Sequence, residues 1–182
     1  KEVDELDEEL KKHAERIDRE LERLDRENEK HVEDVRRELE RLREENERHA
    51  RRIEDEVKKR TDEEEVIKRL IDDHRRLSKR TEDEIKKLLD DHRRLSEETK
   101  ERIKELLKDH RRLLKDVADK IEDRKTLEDI RRKVEKSLRE LEKKLEEIDK
   151  KNRDTLEEAR RELERIRREN EEVIRRLDKR RR

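Results

Sequence analysis

The chain has 182 residues, of which 65% are Asp, Glu, Lys or Arg and 25% are hydrophobic, and its 59 basic side chains nearly cancel its 60 acidic ones. It contains no Gly, Pro, Cys, Met, Phe, Tyr or Trp, which excludes a disulfide framework, a thiolate metal site, a cysteine nucleophile and an aromatic platform for stacked bases. No apolar run reaches even five residues, too few for a transmembrane helix or a signal peptide, so no targeting segment is read and the compartment stays open for a chain expected to be soluble on expression.

Near-zero net charge with regular apolar spacing argues for helix rather than disorder, and the scarcity of β-branched, aromatic and turn residues argues against strands. From the first residues the apolar positions recur every 18: Val3, Leu21, Leu39 and Val57, then Leu6, Leu24 and Leu42, then Ile17, Val35 and Ile53. Eighteen residues are five whole turns of a helix, so each stripe runs straight and little supercoil is expected. This predicts a first helix over about 2–59. A break follows near Arg60 to Glu63, where Thr61 followed by Glu64 reads as a capping box. The second element, about 62–122, carries DDHRRLS twice and KDHRRLL once, which places His74, His92 and His110 at the centre of its stripe. His13, His31 and His49 fall at one edge of theirs. A second break near Asp123 to Thr126, with Thr126 as cap, opens a third helix over about 126–180, in which Leu127, Leu145 and Leu163 and then Ile130, Ile148 and Ile166 repeat. The two breaks are required because the apolar face, followed at 100° per residue, jumps twice along the chain.

Folding at those breaks gives a test. In an antiparallel pair residues at one height have a constant index sum, and His13 with His110, His31 with His92, and His49 with His74 all sum to 123, centring the turn between Thr61 and Asp62. Folding again places Thr155 near the His31 and His92 level and Ser137 near His13 and His110. The fold class predicted is all-α: an up-down-up three-helix bundle of long, nearly straight helices with an 18-residue repeat, a single elongated domain over 1–182 and about 90 Å long.

Beside the histidine levels lie further matched levels: Asn28, Ser96 and Asn152; Asn46, Ser78 and Asn170; and, at the third, the apolar Leu10, Leu114 and Val134. Thr81 and Thr99 lie on the inner stripe one turn beyond Ser78 and Ser96. Buried polar groups need partners, and neutral imidazole, hydroxyl and carboxamide can each donate and accept, so these residues can close networks. The same polar layers could instead serve only to fix helix alignment. Metal is the sharper rival for the histidines, but each level offers two His and the third helix adds only Ser137, Thr155 or Val173, so no metal site and no cofactor are read. Ser78 follows His74 by four residues, as Ser96 follows His92, yet no loop, cleft or oxyanion hole accompanies them; no enzymatic activity, catalytic residue or small-molecule substrate is expected. The charges read as solvated faces with ion pairs at helical spacing, without the single-sign patch that nucleic acid or a membrane would need. Self-association stays open, because long apolar stripes can also be satisfied by several chains.

Taken together, the in-register repeats, the three His pairs and the adjacent Asn and Ser layers resemble those of de novo designed helical bundles with buried hydrogen-bond networks, over nearly the whole chain. The likeness is greatest to pH-responsive members of that family, some of which are subunits of self-assembling filaments. What the resemblance implies is a pH-sensing role for His13, His31, His49, His74, His92 and His110, supported by Asn28, Asn46, Ser78, Ser96, Asn152, Asn170, Ser137, Thr155, Thr81 and Thr99. Protonation turns an imidazole into a double donor and brings charge into a dry core; six protons acting together would give at most about 8 kcal/mol per pH unit. Two alternatives are a filament or oligomer subunit and a plain coiled-coil rod. The first departs from the pattern here, since almost all apolar residues serve the three inner stripes.

Overall fold

The computed structural model describes the backbone of residues 2–60 and 63–181. Three helices account for nearly all of it: α1 (Glu2–Lys59, 58 residues), α2 (Glu64–Lys120, 57 residues) and α3 (Arg124–Arg181, 58 residues). There is no strand among the described residues. Leu, Glu, Lys and Arg are strong helix formers, and their sum over some 57 residues favours helix even before packing is counted.

No described residue has positive φ, so the second helix break, whose residues are all described, is made without a left-handed residue and needs no glycine. At the first, the Arg60 amide donates to the carbonyls of both Glu56 and Val57 (3.1 and 3.2 Å), and the Glu63 amide donates to Arg60 (3.1 Å). Lys58 and Lys59 in the last turn of α1, and Glu64 and Glu65 in the first of α2, oppose the respective helix dipoles. Helix α2 therefore starts at Glu64, with the Glu63 carbonyl accepting from Ile67; Thr61, expected as its cap, and Asp62 lie outside the described residues. At the second break the expectation was Thr126. The structure corrects it: α3 begins at Arg124, and the Asp123 carboxylate accepts from the Lys125 and Thr126 amides and, at 2.6 Å, from the Thr126 hydroxyl. Asp and Thr are both good caps, and Asp123 takes the outer position because the Thr126 hydroxyl can close the turn from inside it.

The chain divides into two compact units, one comprising Lys1–His31 with Arg94–Arg153 and the other Val32–Arg93 with Asp154–Arg182. Each takes a segment from all three helices. In the first, Glu20 pairs with Arg102 and Glu29 with Lys151, while Arg111 reaches Glu142. In the second, Arg41 pairs with Glu84, Glu54 with Arg176, and Glu82 with Arg167. Partner numbers fall as α1 advances when the partner is on α2, and rise when it is on α3. The topology within each unit is thus up-down-up, the three-helix bundle the repeats predict.

Their interiors differ. The first unit has one continuous apolar cluster, running from Leu10 to Leu24 on α1, Ile103 to Ile121 across α2 and its end, and Ile130 to Ile148 on α3. The second has two, one around Leu42, Ile85 and Ile166 and one around Ile53, Ile71 and Val173. Between these two, in sequence on every helix, stand Asn46, His49, His74, Ser78, Thr81 and Asn170. Outside, most of the ion pairs are exposed and contribute little, although Arg43–Glu162 is half-buried, so burial more than charge pairing holds the units together. Ile85 is fully buried; truncation to Ala should cost about 2–5 kcal/mol, seen as a lower urea midpoint with an unchanged slope. Asp123→Ala should speed amide exchange at Lys125 and Thr126 while Asp123→Asn largely preserves it.

Candidate functional site: the buried histidine networks

Helix α2 presents His74, His92 and His110 inward, each at most 1% exposed, whereas His13, His31 and His49 on α1 are half-buried. This follows from their places on the two wheels, centre of the stripe on α2 and edge of it on α1. In the second unit His49 Nδ1 and His74 Nδ1 lie 2.9 Å apart. Their ring planes are within 4° and the centroids are 5.1 Å apart, close to the N···N distance plus the two ring radii. The rings therefore meet edge to edge through one N–H···N bond and do not stack face to face.

From there the chain of hydrogen bonds runs inward and its direction can be derived. Asn46 Nδ2 lies 2.7 Å from the Leu42 carbonyl, which can only accept, so the Asn46 amide is oriented and its Oδ1 faces Asn170. Asn170 Nδ2 donates to Asn46 Oδ1 (2.9 Å) and to Ser78 Oγ (3.1 Å). Its Oδ1 is then the acceptor at 3.1 Å from His74 Nε2, which must carry the proton. Neutral His74 consequently accepts at Nδ1, and His49 donates from its own Nδ1. Asn46 also donates to Thr81 Oγ1 at 2.8 Å. Six side chains and one backbone carbonyl thus form a single oriented array. The Leu42 carbonyl was not foreseen from sequence; Asn46 standing four residues after Leu42, on the same helix face, was the available signal.

In the first unit the same contact opens the array and then stops. His13 Nδ1 and His110 Nδ1 are 3.3 Å apart, with centroids at 5.3 Å and planes within 15°, again edge to edge. Thirty-six residues along each helix from Asn46, Ser78, Thr81 and Asn170 stand Leu10, Leu114, Val117 and Val134. Every polar partner is replaced by an apolar one, and His110 Nε2 is buried without a hydrogen-bond partner. Ser137, expected at this level, is half-buried there.

The remaining repeat carries the residues the sequence assigns to it. Asn28 and Asn152 are buried in the first unit, where Ser96 and Thr99 are half-buried, and Thr155 and His92 are buried in the second. Asn28 Nδ2 and Asn152 Oδ1 have no hydrogen-bond partner, so these two amides are less completely satisfied than Asn46 and Asn170. His31 belongs to one unit and His92 to the other.

Burial lowers the basicity of His13, His49, His74 and His110 below the ordinary histidine value of 6.5. For the inner members the second cause is the charge of the outer one, His49 acting on His74 and His13 on His110, while the Asn170 bond and Glu54 act the other way on His74. Nearby guanidinium groups, Arg16 beside His13 and Arg52 beside His49, add to desolvation at the outer members, against Asp109 and Asp73. No group of three or more His, Asp or Glu among the described residues is placed to hold a metal ion, and no described helix is long and apolar enough to cross a membrane.

No family model matches the chain, and no curated protein matches it in sequence. Among solved structures it is similar to one described as a computationally designed three-helix bundle, with a TM-score of 0.56 and 17% identity over 99% of this chain and 89% of that one. At that identity the likeness concerns the fold.

The array predicts unequal costs for two chemically identical changes. Asn170→Leu strands His74 Nε2–H, Asn46 Oδ1 and Ser78, at about 1–3 kcal/mol per abandoned buried group before the hydrophobic gain. Asn152→Leu removes an amide whose oxygen already lacks a partner. Urea unfolding should find the first variant the less stable of the two, and equal midpoints would show that the Asn170 array contributes no more than a lone polar residue.

Proposed function

We propose that the chain is a designed helical bundle without natural biochemical activity, and that it acts as a pH-responsive structural protein whose buried histidines destabilise the fold in acid. The observation that carries this reading is the array from His49 through His74 and Asn170 to Asn46 and the Leu42 carbonyl. Every donor in it points inward, so the first proton has a defined place. It binds His49 at Nε2, the nitrogen not used in the array, and Nδ1–H continues to donate to His74. The second proton has nowhere to go but His74 Nδ1, where it meets the His49 N–H head on and breaks the 2.9 Å contact. Damage therefore begins with the inner histidine of this pair, so its two protons bind in succession and not together.

The sign follows from the lowered basicity. The unfolded chain, with His near 6.5, binds more protons than the fold, so the stabilisation is full above that value and is lost as pH falls below it towards the folded values. His74 and His110 held neutral correspond to about 3 kcal/mol per pH unit, enough to remove a domain stability of about 5 kcal/mol over roughly two units. The groups facing His49 are Arg52, Arg80, Asp73 and Glu45, and those facing His74 are His49, Asn170 and Glu54. The response belongs to the fold rather than to an assembly contact, because Leu95 is the one large hydrophobic side chain exposed among the described residues.

Ellipticity between pH 7 and 4 tests this with two triple variants, each first checked for helicity at pH 7. Replacing His74, His92 and His110 by Gln should abolish the transition in that window. Replacing His13, His31 and His49 by Gln should retain it. An inner triple variant that melts at the parent's pH and steepness would sink the proposal and leave the plain rod, its polar layers fixing alignment only.

A further inference from the structure

Beside the histidine pair of the second unit, a groove of about 410 Å³ opens between α1 and α2. Apart from the buried Leu77 it is lined by His49, Arg52, Arg76, Arg80, Glu45 and Asp73. Three guanidinium groups thus share it with two carboxylates, and both carboxylates are engaged: Asp73 with Arg76 at 3.4 Å and Glu45 with Arg41 at 3.3 Å. Arg52 and Arg80 are in no ion pair among the described residues. Arg52 follows His49 by three residues on α1 and Arg80 follows His74 by six on α2. Helical side chains lean towards their own N-terminus, so on antiparallel helices these two lean from opposite sides towards the His49 level. After loss of hydration, their charges are what lower the basicity of His49, with Asp73 and Glu45 acting the other way. The two nitrogens of an imidazole point in nearly opposite directions; with Nδ1 turned inward to the fully buried His74, Nε2 of His49 turns outward. It has no hydrogen-bond partner among the described residues and, unlike His110 Nε2, is accessible to solvent.

We propose that this groove binds a divalent tetrahedral oxyanion, held by Arg52 and Arg80 and, when its ring is charged, by the Nε2–H of His49. The repeat singles out this level. Followed along the sequence, Arg80 becomes Glu98 and then Asp116, and Arg52 becomes Asp34 and then Arg16. At the His13 level Arg16 and Arg112 are therefore outnumbered by Glu9, Asp109 and Asp116. Guanidinium forks arriving from two helices suit an anion with oxygens on several sides, which chloride does not offer. A cavity of about 150 Å³ holds benzene, so the groove admits a five-atom anion together with water and leaves it partly hydrated. Neutral His49 turns a lone pair outward and repels the anion; the charged ring donates to it. The anion consequently prefers charged His49 and, by reciprocity, favours its protonation. The other charged and titratable groups facing that ring are Arg52 and Glu45 on α1 and Asp73, His74 and Arg80 on α2. An effect of the anion on folding rests on the acid response proposed above, whereas binding itself does not.

Sulfate is the probe, because it stays divalent near neutrality where phosphate groups change charge. It is titrated into the full chain carrying 15N-labelled histidine and arginine, with ionic strength held constant by chloride, at pH 7.5 and at the lowest pH that keeps full ellipticity. The His49, Arg52 and Arg80 side-chain resonances should shift saturably, with half-saturation in the millimolar range expected of so few atoms, while those of His13 and Arg16 stay in place. Half-saturation should fall at the lower pH. Arg52→Gln combined with Arg80→Gln, both exposed positions whose exchange leaves the core intact, should weaken binding at least tenfold. His49→Gln should bind sulfate equally at the two pH values. Shifts that are linear in sulfate, equal at His13 and His49, or preserved in the double variant would overturn the site, as would an affinity of the parent that does not rise at the lower pH. Because these readings are taken on the folded chain, they stand apart from the acid transition, whose own failure would leave the sulfate site in place.

Discussion

The contact on which the histidine array depends is a short bond from the Asn46 side chain to the Leu42 carbonyl. A backbone carbonyl cannot donate, and within a helix its position is fixed by the turn it belongs to. That single asymmetry orients Asn46, and through it Asn170, His74 and His49. Without it each member could be reversed, and the array would be a set of amides and rings with several equivalent proton arrangements. With it, the outer histidine is the donor and the inner one the acceptor, the arrangement on which the proposed stepwise protonation rests.

Such an array has a cost that the neighbouring unit shows by contrast. In the second unit the polar residues separate two apolar clusters, and each side chain so used forgoes the roughly 1.5–3 kcal/mol that a buried Leu or Ile would contribute. The first unit replaces four of them by Leu10, Leu114, Val117 and Val134, and its cluster continues past the histidine pair. What it loses is satisfaction of His110 Nε2. The polar version specifies one alignment of three helices, because a 36-residue slip would set Asn46 against Leu114 and Val134; the apolar version is indifferent to polarity and more favourable in bulk burial. Using both in one chain joins specificity to stability.

Much of this was legible in the sequence for one reason: a repeat of whole turns lets a residue number stand for both height and angle. The index sum of 123 brings together His49 with His74 and His13 with His110, and both contacts exist at hydrogen-bond distance. The edge positions of His13, His31 and His49 on their stripe translate into half-burial. What the repeat cannot encode is local donor geometry. Asp123 and Thr126 are both good caps three residues apart, and only the carboxylate's reach to two amides and one hydroxyl decides between them. The direction of the array was equally hidden, since it rests on a carbonyl that every residue possesses.

Loss of hydration is the first influence on both members of the His13–His110 and His49–His74 pairs, and the second influence differs. His13 and His49 are half-exposed, and their neighbours Arg16, Asp109, Arg52 and Asp73 act through solvent, so dissolved salt weakens those influences within a Debye length of about 8–10 Å. His74 and His110 are governed first by loss of hydration, which salt does not restore, and second by the charge of a ring in direct contact. Ionic strength therefore moves the first protonation more than the second. Where the outer ring is charged early, the inner ring meets that charge across 2.9 or 3.3 Å of largely dry space, and its own proton is deferred to lower pH. In the proposed response the surface charges beside the outer histidines therefore act on the spacing of the two steps, although they touch neither the inner ring nor the amides behind it.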